Sequence, residues 1–310
     1  MNTLLQRNLK SDLLKGKTVV LTGASRGIGL EISQVLGQSG ARLIGIARSR
    51  ARLESWAAEM NHLGVQAEAI AFDLASTEAL PELTQQVKQR AARWGKPEVD
   101  ILINNAGIEI YRAFSSYHPD EIERVIRINL LSVMRLTQLL LPLLSKRGHI
   151  INMASLAGKK GHPYDSIYAA SKSGLLMWSH SLRQELAESG QAVSAICPGY
   201  VSDRGMLADT GIKAPFLAGR SPAKAVGKAV LKTIHHRRAE IIVNQNLPVE
   251  ITTRTLLALE QLFPDLTDFS NRLLGITRSN RQRITAARES TTPESTIREP
   301  ALKQALKQTL

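Results

Sequence analysis

The chain has 310 residues, 43% of them hydrophobic, a formal net charge of +13 and one cysteine, Cys197. That length buries a sizeable core as one large α/β domain or two modest ones, and a lone cysteine excludes an intrachain disulfide and fits a reducing compartment. Residues 1–17 show neither an apolar stretch followed by a cleavage pattern nor a membrane-length run, and no such run follows, so a soluble, cytoplasmic protein is expected. The positive charge is spread along the chain, with one richer stretch at Arg272, Arg278, Arg281, Arg283 and Arg288. It comes without zinc-finger ligands or an RNA-binding aromatic signature. It reads as a basic surface and not as a nucleic-acid interface; contact of the basic tail with a membrane surface is the lesser reading.

In chain order, residues 17–22 (KTVVLT) read as a short buried strand that runs into the turn Thr22-Gly23-Ala24-Ser25-Arg26-Gly27-Ile28-Gly29. A helix is expected over 27–38, ended by Gly40. Glycines allow close backbone approach, and the free N–H groups of the following helix N-terminus favour an anion, so a pyrophosphate is the natural occupant. Strands follow at 42–47, 65–72 and 99–103, with helices near 50–62 and 78–93. Helix is expected over 119–144, interrupted near Asn129 and weakened at Pro142. A strand at 148–153, a long helix at 165–187, a strand at 192–197 stopped by Pro198-Gly199, a helix at 222–235 and a strand at 240–243 complete the alternation. Short apolar strands alternating with amphipathic helices give a Rossmann-type, doubly wound parallel sheet of about seven strands.

Past residue 247 the rhythm stops. Residues 251–263 and 266–274 read as short amphipathic helices, 278–300 as polar and flexible, and 301–310 as a weak helix. The organisation expected is a lead-in at 1–14, a catalytic domain at 15–247, a helical extension at 248–276 and a polar tail at 277–310.

Tyr168 and Lys172 stand four apart on the 165–187 helix and so share a face. Carbonyl reduction needs a proton donor at the oxygen, and a nearby ammonium favours the phenolate of a tyrosine whose free pKa is near ~10. With Ser155 ending a strand, and with Asn104-Asn105-Ala106-Gly107 following another, these motifs occur in an order that resembles the short-chain dehydrogenase/reductase family from about Lys15 to Val243.

The resemblance implies an NADP(H)-dependent oxidoreductase that interconverts a carbonyl and a secondary alcohol. It makes Tyr168 the acid/base, Ser155 a donor to the substrate oxygen, Lys172 a ribose contact, and Asn129 the holder of a water on a proton route. The implied cofactor residues are Gly23, Ser25, Arg26, Gly27, Ile28, Gly29, Arg48, Asp73, Leu74, Asn105, Ala106, Gly107, Tyr168, Lys172, Pro198, Gly199 and Val201. The second strand ends Ala47-Arg48-Ser49 without a carboxylate, so Arg48 and Arg26 are candidates for a 2′-phosphate, with Ser49 as a further donor; both arginines are otherwise solvated surface. Asp73 either contacts adenine or caps the next turn.

At Asp203 the sequence departs from the family's threonine. Either Ser202 takes that role or the loop runs differently, since a carboxylate beside a pyrophosphate is repulsive. Residues 200–220, with Met206, Leu207, Pro215, Phe216 and Leu217, read as a cover over a partly apolar substrate site. Lys159, Lys160 and His162 are expected to face solvent, with contact to an anionic substrate as the alternative. No metal site is read, a small-molecule substrate is expected, and a homodimer or homotetramer through the helices near Asn129 and Tyr168 is implied by the resemblance. A catalytically silent NADP(H)-binding sensor or partner-binding protein on the same fold is the other functional reading.

Overall fold

The structure is a computed structural model that describes residues 13–209, 211–212, 220–244 and 247–291, with backbone alone for residue 247 and residues 286–291. Seven parallel strands form one sheet in the order β3-β2-β1-β4-β5-β6-β9, where β1 is Thr18–Thr22, β2 Arg42–Ala47, β3 Ala67–Ala71, β4 Val99–Asn104, β5 Leu144–Met153, β6 Ala192–Pro198 and β9 Glu240–Val243. The chain winds outward from β1 to β3, then restarts at β4 on the other side of β1. The crevice at the carboxyl ends of β1 and β4 is therefore the switch point, where such sheets bind ligands.

Both faces of the sheet are covered, because the strands are apolar at nearly every position. Val19 and Leu21 face Ile32 and Leu36 of α1 (Gly27–Gly37) and Val226 and Val230 of α8 (Ala223–His236). Val20, Ile44 and Ile46 face Leu83 and Val87 of α3 (Leu80–Ala92) and Leu136 and Leu140 of α5 (Ser132–Leu140). The remaining helix of the first half is α2 (Arg50–His62), which N-caps on Ser49 and buries Leu53, Trp56 and Met60.

The long helix expected over 119–144 is broken as the sequence suggested. It runs as α4 (Pro119–Ile126), a π turn over Arg127–Leu131 that carries Asn129, α5, and a 3-10 turn at Leu141–Leu143 holding Pro142. The stretch Pro119–Leu143 is long and apolar enough to cross a membrane by length and composition, contrary to the sequence reading, but Val125, Val133, Leu136 and Leu140 bury it in this core. The long helix α6 spans Ser166–Glu185, with Asp165 at its N-cap. Two small elements follow β6: a two-residue pair, β7 (Tyr200–Val201) with β8 (Arg220–Ser221), and α7 (Met206–Asp209) between them. Of the expected cover, Pro215, Phe216 and Leu217 lie outside the described residues, as do residues 301–310.

The C-terminal part departs most from the sequence reading. Three helices follow β9: α9 (Leu247–Leu262), α10 (Asp265–Leu273) and α11 (Ile276–Thr291). The last lies where a flexible polar stretch was expected. Its inward stripe is Ile276, Asn280, Arg283 and Ile284, all buried, at helical spacing but half polar. An apolar periodicity is absent because the helix packs on a polar partner surface. Asn280 donates to the Pro163 carbonyl at 2.9 Å, and Arg281 to the Tyr164 hydroxyl at 3.1 Å.

Candidate active site

The phosphate turn is shaped by its glycines. Gly23 and Gly27 have φ of 69° and 58°, and a Cβ on Gly29 would stand 2.0 Å from the Gly23 carbonyl oxygen. Helix α1 begins at Gly27 with no side-chain cap and no acid in its first turn. Its first N–H groups are thus left for a ligand anion, which the helix dipole favours. The 104–107 turn of β4 buttresses this loop. Asn105 and Ala106 N–H groups both donate to the Thr22 hydroxyl at 3.0 Å, and the Asn105 amide donates to the Thr22 carbonyl at 3.0 Å. Asn104 donates to Asn152 at 2.8 Å and Asn152 to Ser179 at 2.8 Å, a buried chain that ties β4 and β5 to α6.

The expected 2′-phosphate ligands divide. Arg48 is exposed and makes no ion pair among the described residues, whereas Arg26 is paired with Asp209 of α7. A second cavity, between the phosphate loop and α2, is lined by Ser25, Arg52 and Ser55 among others. Arg52 is a cation there that the sequence reading passed over, since nothing marks one arginine of a basic helix from another. Asp73 makes the turn contact that the capping alternative expects: its carboxylate accepts from the Ala75 N–H at 3.0 Å, with Leu74 buried beside it. Asp203 settles the question about its loop. Its carboxylate accepts from the Ala223 N–H at 2.8 Å, at the start of α8, where the dipole favours an anion. The repulsion expected of a carboxylate beside a pyrophosphate therefore gives way to a helix-terminus contact twenty residues on, and the loop runs through the β7–β8 pair.

At the carboxyl ends of β5 and β6 a cavity of about 510 Å³ opens. One side carries Ile28, Asn105, Gly107, Pro198, Gly199 and Val201; the next carries Ser155, Tyr168 and Lys172; the far side carries Val249, Leu256, Leu257, Leu274 and Ile276 of the extension. The catalytic candidates and a good part of the cofactor candidates thus meet at one place. Tyr168 is 6% exposed and lines the cavity together with Ser155. Ser155 accepts from the Ala157 N–H at 3.1 Å, a turn that fixes its orientation. Lys172 stands 5.7 Å from the Tyr168 ring centroid and donates to the Met153 carbonyl at 2.8 Å.

The electrostatics differ from the sequence expectation that Lys172 lowers Tyr168. Burial, and then the carboxyls of Glu109 and Asp165, push the Tyr168 phenol well above its ordinary range, and the Ser155 hydroxyl opposes them. Lys172 is itself pushed down to about 8, chiefly by burial. Asn129 is fully buried in the π turn. Its amide donates to the Ile108 carbonyl at 2.8 Å and to Ser171 at 3.0 Å, and accepts from the Ile108 N–H at 2.8 Å. The turn opens the helix at this point, and Asn129 pins the strand-to-loop exit beside Gly107.

Lys159, Lys160 and His162 are not solvent-facing. Lys159 pairs with Glu240 at 2.8 Å, and Lys160 with Glu260 of α9 at 3.0 Å, the latter two 10% and 2% exposed in their side chains. His162 lines the cavity, its pKa pushed down to about 4 by burial and then by Lys160. Charge alone suggested solvent; partners remote in sequence, Glu240 of β9 and Glu260 of α9, hold the two lysines inward.

This fold is shared with known proteins. The profile described as short chain dehydrogenase matches residues 17–212. A ketoacyl reductase of Nostoc sp., HetN, is 44% identical over 272 residues, 87% of this chain and 93% of that protein. That share is more than residues 1–247 hold, so the similarity reaches into the C-terminal helices. The 3-oxoacyl-[acyl-carrier-protein] reductase FabG of Haemophilus influenzae is 32% identical over 225 residues, 70% of this chain and 90% of that protein. Among solved structures, a metagenomic short-chain oxidoreductase in complex with NADP is 31% identical with a TM-score of 0.64, covering 76% of this chain and 99% of that one. A short chain dehydrogenase from Burkholderia cenocepacia in complex with NADP is 27% identical with a TM-score of 0.66, over 75% and 98%. The chain belongs to the short-chain dehydrogenase/reductase family.

Proposed function

We propose that the chain is an NADPH-dependent reductase of a ketone or ketoacyl group attached to an apolar chain, with Tyr168 as the proton donor. The observation that carries this is the single cavity in which Ser155, Tyr168 and Lys172 face the uncapped phosphate turn on one side and an apolar wall from α9–α11 on the other. Bound NADPH supplies hydride at the carbonyl carbon. The chain supplies the rest. The Ser155 hydroxyl donates to the carbonyl oxygen and stabilises the charge that develops there. Tyr168 gives its phenolic proton to that oxygen, and the phenol form suits this direction. Lys172, fixed on the Met153 carbonyl, is placed for the cofactor's ribose. The apolar wall of Leu256, Leu257, Leu274 and Ile276 keeps water from the reacting carbon and receives the substrate's chain.

NADP as the cofactor, the ketoacyl class, a cytoplasmic setting and a dimer or tetramer belong to this same reading. The first two are supported by the bound NADP of the structural relatives and the names of the sequence relatives. The test is a panel of 3-ketoacyl thioesters, simple ketones and secondary alcohols with NADPH and NADH, followed at the nicotinamide absorbance. Turnover of longer-chain 3-ketoacyl thioesters with NADPH is expected; no turnover of any carbonyl, with NADPH bound, would return the chain to the silent-sensor reading.

A further inference from the structure

Helix α10 has two faces, and the candidate site uses one of them. Ser270 and Asn271 are buried and hold the 159–165 loop. The Lys160 ammonium donates to the Ser270 hydroxyl at 3.2 Å, and the Asn271 amide to the Gly161 carbonyl at 2.9 Å. Leu274, just past the end of the helix, lines the cavity. At about 3.6 residues per turn, the opposite side carries Asp265, Asp268, Phe269, Arg272 and Leu273. All five are exposed.

That outer face is apolar where water would select polar residues. Phe269 and Leu273, one turn apart, are 62% and 67% exposed. Leu262 and Phe263, at the corner before Pro264, are 72% and 62% exposed. Large apolar side chains gathered in water along one short stretch mark a surface that another molecule covers.

The charges on this face say which molecule. Asp265 and Asp268 stand at its start and Arg272 at its end, and none of the three makes an ion pair among the described residues, whereas Arg254 of α9 pairs with Glu250 at 2.9 Å. The helix dipole favours acid first and base last within each copy. The same order makes the face complementary to itself. Turned about a two-fold axis near Asp268 and Phe269, two α10 helices run antiparallel. Asp265 of each copy then meets Arg272 of the other, Phe263 meets Leu273, and the two Phe269 rings meet near the axis. An anionic lipid surface would set like charge against Asp265 and Asp268. A partner with base and acid in the reverse order answers all three charges, and a second copy has that order by symmetry.

We propose that the outer face of α10 is a two-fold interface between copies of this chain, closed by Phe269 and Leu273 and set in register by reciprocal Asp265–Arg272 pairs. The apolar side chains supply the association, and the exposed pairs supply its direction. The contact uses none of α4–α6 and does not depend on the reaction proposed above. Because the inner side of α10 holds the substrate wall, the second copy braces that wall from behind.

The test measures the mass of the full-length protein in solution by sedimentation velocity at about 50 μM subunit, in the range where a modest interface is occupied. Wild type is expected to be a dimer or larger, and Phe269→Glu to have at most half as many subunits per particle, with its melting temperature unchanged. Asp265→Arg and Arg272→Asp each set like charges together twice across the axis, so each should weaken the association by at least about tenfold. An equimolar mixture of those two variants restores both pairs with their signs exchanged, and should return the wild-type mass. A monomeric wild type, or a Phe269→Glu protein of unchanged mass, would overturn the proposal. So would a mixture that stays as small as its components, because the face would then be covered in some way other than this two-fold.

Discussion

In the proposed mechanism Tyr168 is the residue on which the chemistry turns, and its environment makes a direct demand. Buried and raised, it is a phenol at neutral pH, able to donate but slow to accept. Tyr168→Phe removes the proton donor and keeps the ring and the other residues expected to hold the nucleotide. It should bind NADPH nearly as wild type and lose turnover by about 10²–10⁴-fold, checked by cofactor fluorescence titration and steady-state rates. Lys172→Ala should weaken cofactor binding too. Cofactor choice is argued at Arg48. Arg26 is paired with Asp209, so the exposed Arg48, which makes no ion pair among the described residues, is the cation we propose for a 2′-phosphate. One charge-assisted hydrogen bond corresponds to about a tenfold preference. Arg48→Ala should raise the NADPH KM about tenfold and leave that for NADH in place. Equal effects on both cofactors, or none, would move the phosphate site elsewhere, with Arg52 the first candidate from its place in the second cavity.

At the scale of elements, the contrast lies between the strands and turns of residues 17–243 and the three helices after them. Thr22–Gly29, Asn104–Gly107, Ser155, Tyr168 and Lys172 were legible because each is a local pattern: a turn that needs glycine, a strand end, two positions one helical turn apart. The π turn at Asn129 was legible for the same reason, as a polar residue misplaced on an apolar helix. Helix α11 was not, because its buried stripe pairs Ile276 and Ile284 with Asn280 and Arg283, and only the loop it covers explains those polar residues. Lys160 was misread likewise, since its partner Glu260 is 100 residues away. Glu109 and Tyr111 carried no motif at all, and Asp203 stood out only as a departure from one. Helices α9–α11 clasp the 159–165 loop through the Lys160–Glu260 pair, Asn271 to the Gly161 carbonyl at 2.9 Å and Asn280 to Pro163. They also supply the apolar wall, while the phosphate turn is built without them. Truncation after Asn246 should therefore leave NADPH binding within about threefold, and raise the KM for a long-chain 3-ketoacyl thioester by at least about tenfold, roughly the effect of one or two buried apolar side chains. A folded truncation with an unchanged substrate KM would show that the wall is not used.

The molecule as a whole has a chemical end and a plain end, and pH separates them. At the chemical end, Glu109 and Asp165 are raised by burial, so their folded forms hold protons longer than the unfolded chain does, and they favour the fold as pH falls. At the other end of β5, His149 is 3% exposed, with Nε2 2.8 Å from the Ser194 hydroxyl. Its pKa is pushed down to about 4 from 6.5, by burial first and then by Arg237. The sign is opposite to that of the carboxyls. Below about pH 6.5 the unfolded chain takes up a proton that the folded one refuses, and stability drains away until the pH nears 4. The raw stability curve mixes the two ends, whereas the difference between wild type and His149→Gln isolates one. Glutamine keeps a hydrogen-bonding group near Ser194 and does not titrate. The variant should be less stable than wild type at neutral pH and should gain on it by ~1.4 kcal/mol per pH unit between about pH 6 and pH 4.5, read from urea unfolding at each pH. Six residues of strand, about 20 Å, separate His149 from Ser155, so the pH profile of turnover should not move. Parallel stability curves would mean that His149 titrates freely in the folded protein, and a shifted turnover profile would mean that the two ends are coupled through the sheet.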